Sequence, residues 1–141
     1  MREILFRGKE ITDGEWVYGY YVQTNDFLDE IKHNLIFEVD SVDYYCSEFA
    51  GVHEVDPQTV DQYTGLTDKN GAKIFEKDIV EADFGIAGMN KLVVEFETGA
   101  FYLCHNARLM YLLRNWHDYV EVVGNLYDNP ELLGGDGNER D

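Results

Sequence analysis

Apolar side chains recur at every second position along much of this chain, the spacing of a strand with one buried face. The clearest case is Lys91-Leu92-Val93-Val94-Glu95-Phe96-Glu97, where Leu92, Val94 and Phe96 share a face. Thr98-Gly99 supplies a turn, and Ala100-Phe101-Tyr102-Leu103 returns as the second strand of a hairpin. A second hairpin is predicted over residues 1–24. In it, Ile4-Leu5-Phe6-Arg7 and the aromatic run Trp16-Val17-Tyr18-Gly19-Tyr20-Tyr21-Val22 flank Thr12-Asp13-Gly14. Gly19 inside that run marks a bulge or the close approach of another backbone.

The remaining elements follow from the same reading. Residues 25–34 are polar and read as a loop or a loose helical turn, and residues 34–39 as a strand. Residues 40–51 are expected to form an irregular loop or a short strand. Residues 51–55 are a brief extended piece. Asp56-Pro57 opens a helical turn, because Asp caps and Pro suits the first helical position. Asn70-Gly71 predicts a tight turn between two β-prone runs, since both residues tolerate positive φ. Residues 79–84 continue extended, and Gly85-Ile86-Ala87-Gly88 is a connector. Leu109, Leu112, Leu113 and Trp116 fall at helical spacing, so a helix capped by Asn106 is expected over residues 106–116. Residues 119–127 form a last strand. Asn129-Pro130 begins a capped short turn, and residues 134–141 are a disordered tail. The expected class is mainly β, a β-rich α+β fold. It has an N-terminal hairpin, one or two short helices and a small barrel-like C-terminal unit. The expected organisation is one domain over residues 1–133, with an N-terminal β portion (1–55) and a barrel-like portion (56–133).

Composition changes this picture in one respect. Lys and Arg number 11 against 28 Asp and Glu, a formal net charge of −17. Nucleic-acid binding draws on clustered cations, which the chain lacks, so direct nucleic-acid binding and docking on an anionic membrane are disfavoured. The charge serves solubility, or else engages a basic partner. Cys46 and Cys104 without a signal-type N-terminus point to reduced thiols in a cytoplasm. No stretch reaches the roughly 20 apolar residues of a membrane span.

Each candidate for chemistry has a plainer reading. Asp68-Lys69-Asn70-Gly71 lacks the acids of a calcium loop, with Leu66 and Lys77 at the positions that would carry them. Cys104, His105 and His117 do not have zinc spacing, and His33, His53 and Cys46 are scattered. Cys104 and His105 point to opposite faces of a strand and cannot form a dyad with each other. The pairs Glu76 with Asp78 and Glu95 with Glu97 read as solvated strand faces. Gly85-Ile86-Ala87-Gly88 lacks the Lys-Ser/Thr of a phosphate loop. The aromatic run at 16–21 lacks the basic groove of a single-strand stacking platform and reads as core or interface packing. No catalytic, cofactor-binding or metal-binding residue is assigned.

Three segments resemble the YopX family of phage and prophage proteins. They are Phe6-Arg7-Gly8-Lys9, then Val55-Asp56-Pro57-Gln58-Thr59-Val60 running through Gln62-Tyr63-Thr64-Gly65-Leu66-Thr67-Asp68-Lys69-Asn70-Gly71 to Asp78-Ile79-Val80, and Val122-Val123-Gly124-Asn125-Leu126-Tyr127-Asp128-Asn129-Pro130-Glu131-Leu132-Leu133. The chain departs from the pattern at Lys77, where the family usually carries Gly between the Glu and Asp that precede Ile-Val. If the backbone there needs positive φ, a Cβ costs roughly 1 kcal/mol. The resemblance implies a phage or prophage protein acting in a bacterial host cytoplasm, a β-barrel-like C-terminal part, self-assembly, and no known catalytic activity. The expected function is a non-enzymatic, self-associating accessory protein of unknown biochemical role. The alternatives are an acidic decoy that mimics DNA and inhibits a host DNA-binding protein, and a carboxylate hydrolase.

Overall fold

A computed structural model describes residues 3–25, 31–38 and 51–134. Its order is β1 (Phe6–Lys9), β2 (Trp16–Asn25), β3 (Lys32–Glu38), β4 (Val52–Glu54), β5 (Asp61–Thr67), β6 (Lys73–Phe75), β7 (Asp78–Ile86), β8 (Met89–Glu97), β9 (Ala100–His105), β10 (Arg108–Leu112) and β11 (Glu121–Asn125). Short 3-10 helices lie at Pro57–Thr59, Leu113–Asn115 and Pro130–Leu133. The fold is mainly β and antiparallel. The expected readings for residues 40–50 and for the tail from 135 onward fall outside the described residues.

The chain divides into two compact units, Met1–Tyr63 and Thr64–Asp141. In the first, the strands lie in the order β4-β3-β2-β1-β5. β2 and β3 pair without interruption from Gly19 opposite Glu38 to Asn25 opposite Lys32. Strand structure therefore reaches into the segment at 25 and 32–34 that its polar composition marks as loop. Val17, Ile36 and Val55 are the buried centre of this unit, with Tyr21 and Val60 packed against them. Gly19 needs its missing side chain, because a Cβ there would stand 1.9 Å from the Phe37 carbonyl oxygen. The close-approach reading of Gly19 holds, and the register passes it without a bulge.

β5 continues into the second unit, where it neighbours β6. The main sheet of that unit runs β10-β9-β8-β7-β11. Ile74, Val80, Leu92, Val94, Leu103, Leu113 and Val120 are fully buried in one cluster, with Phe84 and Met89 beside them. Neither sheet closes on itself among the described residues, so the barrel-like expectation gives way to an open five-stranded sheet.

Two local expectations are corrected. The helix over 106–116 is instead β10 followed by the 3-10 helix at Leu113–Asn115. Asn106 (φ 49°) and Ala107 (φ 64°) both take left-handed backbone, which turns the chain straight back along β9. Leu109 then pairs with Cys104 and stays 45% exposed, while Leu113 is completely buried. Their helical spacing was coincidental. The second correction concerns Phe96, which is 48% exposed and meets Phe101 across the hairpin rather than continuing the buried row of Leu92 and Val94. The Thr98-Gly99 turn forms as expected, with both residues at positive φ.

Candidate functional site: an exposed aromatic face

β2 alternates strictly. Val17 and Gly19 turn inward, while Tyr18, Tyr20 and Val22 are 45%, 54% and 40% exposed. Residues directly opposite in an antiparallel pair share a face. Tyr18 faces Arg7, Tyr20 faces Phe37, and Val22 faces Leu35. Trp16 lies opposite Lys9, and Val52 of β4 lies opposite Phe37. One side of the first unit is therefore paved by Trp16, Tyr18, Tyr20, Val22, Leu35 and Phe37. Its cations sit against the indole, with the Arg7 guanidinium 4.7 Å and the Lys9 ammonium 5.3 Å from the Trp16 ring centre. Arg7 is buried and bonds Asp61 at 3.2 Å. Two carboxylates, Asp61 and Glu54, thus balance two cations on this side.

Several polar residues of the long motif are engaged by backbone groups. Asp56 accepts the Gln58 N–H at 3.0 Å and caps the helical turn at Pro57–Thr59. The Thr59 hydroxyl donates to the Asp56 carbonyl and accepts from the Lys9 N–H. The Thr64 hydroxyl donates to the Ile74 carbonyl. Asp68 accepts three backbone N–H groups, those of Asn70, Ala72 and Val122, at 2.8–2.9 Å. Burial alone would raise its pKa; these N–H bonds outweigh it and hold the carboxyl below its usual value. Of the Asn70-Gly71 pair, Gly71 carries the positive φ (85°), and its N–H closes the turn onto the Asp68 carbonyl. Buried Asp78 accepts the Phe75 N–H. Asn125 accepts from the N–H groups of Tyr127 and Asp128 and pairs with the Asn129 side chain. Asn129 therefore does not cap the final 3-10 helix with its side chain, as its sequence position suggested.

The family model described as YopX protein matches residues 5–134. The chain belongs to the YopX family. Its fold is similar to that in the crystal structure of protein EF1440 from Enterococcus faecalis, at 21% identity and a TM-score of 0.55, covering 95% of this chain and 100% of that one. No curated protein matches it by sequence.

In this YopX chain the candidate reactive groups do not converge. Cys104 is buried, and burial together with the charges of Glu95 and Glu97 pushes its thiol up to about 11. It lines a cleft with Val93, His105, Leu126 and Leu133. His117 is bonded through Nδ1 to the Thr67 carbonyl at 2.7 Å, which makes Nδ1 the protonated nitrogen. Glu76 stands in the turn before β7 while Asp78 is buried, so that pair does not share a solvated strand face. Glu95 pairs with Lys77 at 2.5 Å. Gly85 and Ile86 belong to β7, and Gly88 closes the turn into β8, so the tetrapeptide is a hairpin end rather than a linker. Cys46 lies outside the described residues. Among the described residues no group of three His, Cys, Asp or Glu is arranged to hold a metal ion. No helix among them is long and apolar enough to cross a membrane.

Sequence reasoning missed one arrangement. His53 stands between two carboxylates, with Nδ1 on Glu10 and Nε2 on Glu38 at 2.6 Å. The three are 43 and 15 residues apart in pairs, so no local motif announces them.

Proposed function

We propose that this YopX protein works by contact rather than catalysis, and that it self-associates through the aromatic face of β2 and β3. The observation that carries the reading is the row Tyr18, Tyr20 and Val22, exposed on a face whose charges balance, in a chain of net charge −17. Two like-charged copies repel wherever acidic surfaces meet. A charge-balanced apolar face is where they can close, and Tyr and Trp are favoured at such interfaces. A phage or prophage accessory role in a host cytoplasm, implied by the family resemblance, belongs to the same reading. The decoy reading draws nothing from Asp56, Asp61, Asp68 and Asp78, which hold turns or an internal ion pair instead of forming an outward row.

The test is sedimentation velocity at micromolar concentration for the wild type and Tyr20→Arg, with circular dichroism as a check on folding. The wild type should sediment as an assembly and the folded variant as a monomer. A monomeric wild type would refute self-association. An assembled, folded Tyr20→Arg would place the contact elsewhere.

A further inference from the structure

β4 is three residues long and lies at the edge of its sheet; beyond its pairing with β3, its Glu54 carbonyl accepts the Ile11 N–H and the next residue, Val55, bridges Glu10. Such a strand makes few ladder bonds of its own. Its central residue, His53, faces the same side as Ile36. There the ring meets Glu38 from β3 and Glu10 from the turn after β1. Glu10 is fixed in turn by the Thr12 hydroxyl, at 2.6 Å, and its backbone bridges Val55. On the opposite side of the strand pair, His33 Nδ1 meets Glu54 at 3.1 Å. Glu10 also meets the Asp13 side chain, a further carboxylate beside this cluster.

Ionised carboxylates only accept hydrogen bonds. A ring that bonds a carboxylate through each nitrogen must donate from both, so it is imidazolium. A neutral ring would turn one lone pair against a carboxylate oxygen and leave Glu10 and Glu38 uncompensated. We infer that His53 is a proton-dependent clasp that keeps β4 seated on β3, shut in the imidazolium form and released when the ring loses its proton. Released, β4 would uncover the outer edge of β3, including the bonds from the Glu38 N–H to Gly51 O and from the Val55 N–H to Asn34 O.

The direction follows from the surroundings. Burial alone pulls His53 down, but the hydrogen bonds and charges of Glu10 and Glu38 outweigh it and raise its pKa above 6.5. A raised folded-state value gives stability that is complete below the unfolded value and is lost as pH climbs through the folded one. Each unit of elevation weakens the closed form by up to about tenfold across that window.

Two measurements on the full chain test this. The first is an NMR titration of the histidine ring signals, assigned with single His→Gln variants. His53 should titrate above 6.5, and Glu38→Gln should lower it. The second is hydrogen exchange of the Glu38 and Val55 amides, expressed as protection factors, with Val94 as the internal reference. Their protection should fall as pH crosses the His53 transition while that of Val94 holds. His53→Gln should remove the pH dependence. A wild-type ring titrating at or below 6.5, or wild-type protection indifferent to its transition, overturns the clasp even if the variants do not fold.

Discussion

At Lys77 the backbone takes φ 67°, the left-handed region that a Cβ disfavours. The residue cannot relax out of it easily. Its N–H donates to the Val94 carbonyl at 2.7 Å, and its carbonyl accepts the Leu126 N–H at 3.0 Å, so the turn is pinned to two neighbouring segments. The family resemblance implies glycine here, and a positive φ is the conformation glycine adopts without strain. Lys77→Gly removes the Cβ strain, about 1 kcal/mol or somewhat more. It also loosens the unfolded chain, which costs about 0.4–1 kcal/mol. It further loses a partly exposed pair with Glu95, a term of at most about 0.5 kcal/mol. The net change against wild type is therefore small, and the informative comparison is glycine against alanine. Both variants lose the ion pair, and only alanine keeps the Cβ. At an ordinary position Ala is the more stable of the two. Here Gly should be more stable than Ala by a few tenths to about 1 kcal/mol, a reversed sign. Urea unfolding of Lys77→Gly and Lys77→Ala, followed by tryptophan fluorescence and compared at equal m-values, measures it. Alanine equal to or above glycine would refute the claim that this turn is strained.

Gly19→Ala should cost about 3 kcal/mol or more, because its Cβ collides with the backbone at Phe37 rather than with a movable side chain; a melting temperature within a degree of wild type would contradict the register. Asp68→Ala should cost about 3 kcal/mol in chemical unfolding, since three backbone N–H groups lose a charged acceptor. The depressed pKa of Asp68 adds a sign: its contribution is complete above its ordinary value of 3.8 and disappears as pH falls through the lower folded value. Asp68→Asn should therefore flatten the acid end of the stability profile, and an unchanged acid limb would count against this. In a Cys46→Ser background, Cys104 should react with a thiol reagent at pH 8 only on unfolding, because its thiol is buried and titrates near 11; prompt labelling of the native chain would show the site is open.

Strand content, the positions of β1, β2, β8 and β9, the Thr98-Gly99 hairpin and the Asp56 cap were legible in the amino-acid sequence. These depend on alternation and on turn chemistry within a few residues, where the local signal is complete. The Lys77 departure was legible too, as a question that the observed φ answered. The false helix at 106–116 arose because four apolar residues matched a 3.6 period by chance. Left-handed backbone at Asn106 and Ala107 and the pairing of β10 with β9 overrode it, and pairing is a non-local term. Tertiary structure alone decided that the motif acids cap turns, that Tyr18, Tyr20 and Val22 form one outward face with Leu35 and Phe37, and that His53 lies between Glu10 and Glu38. The physical reason is shared by all three. Strand register brings together residues tens of positions apart, and only those meetings determine whether a side chain is a cap, a contact or a proton-binding group.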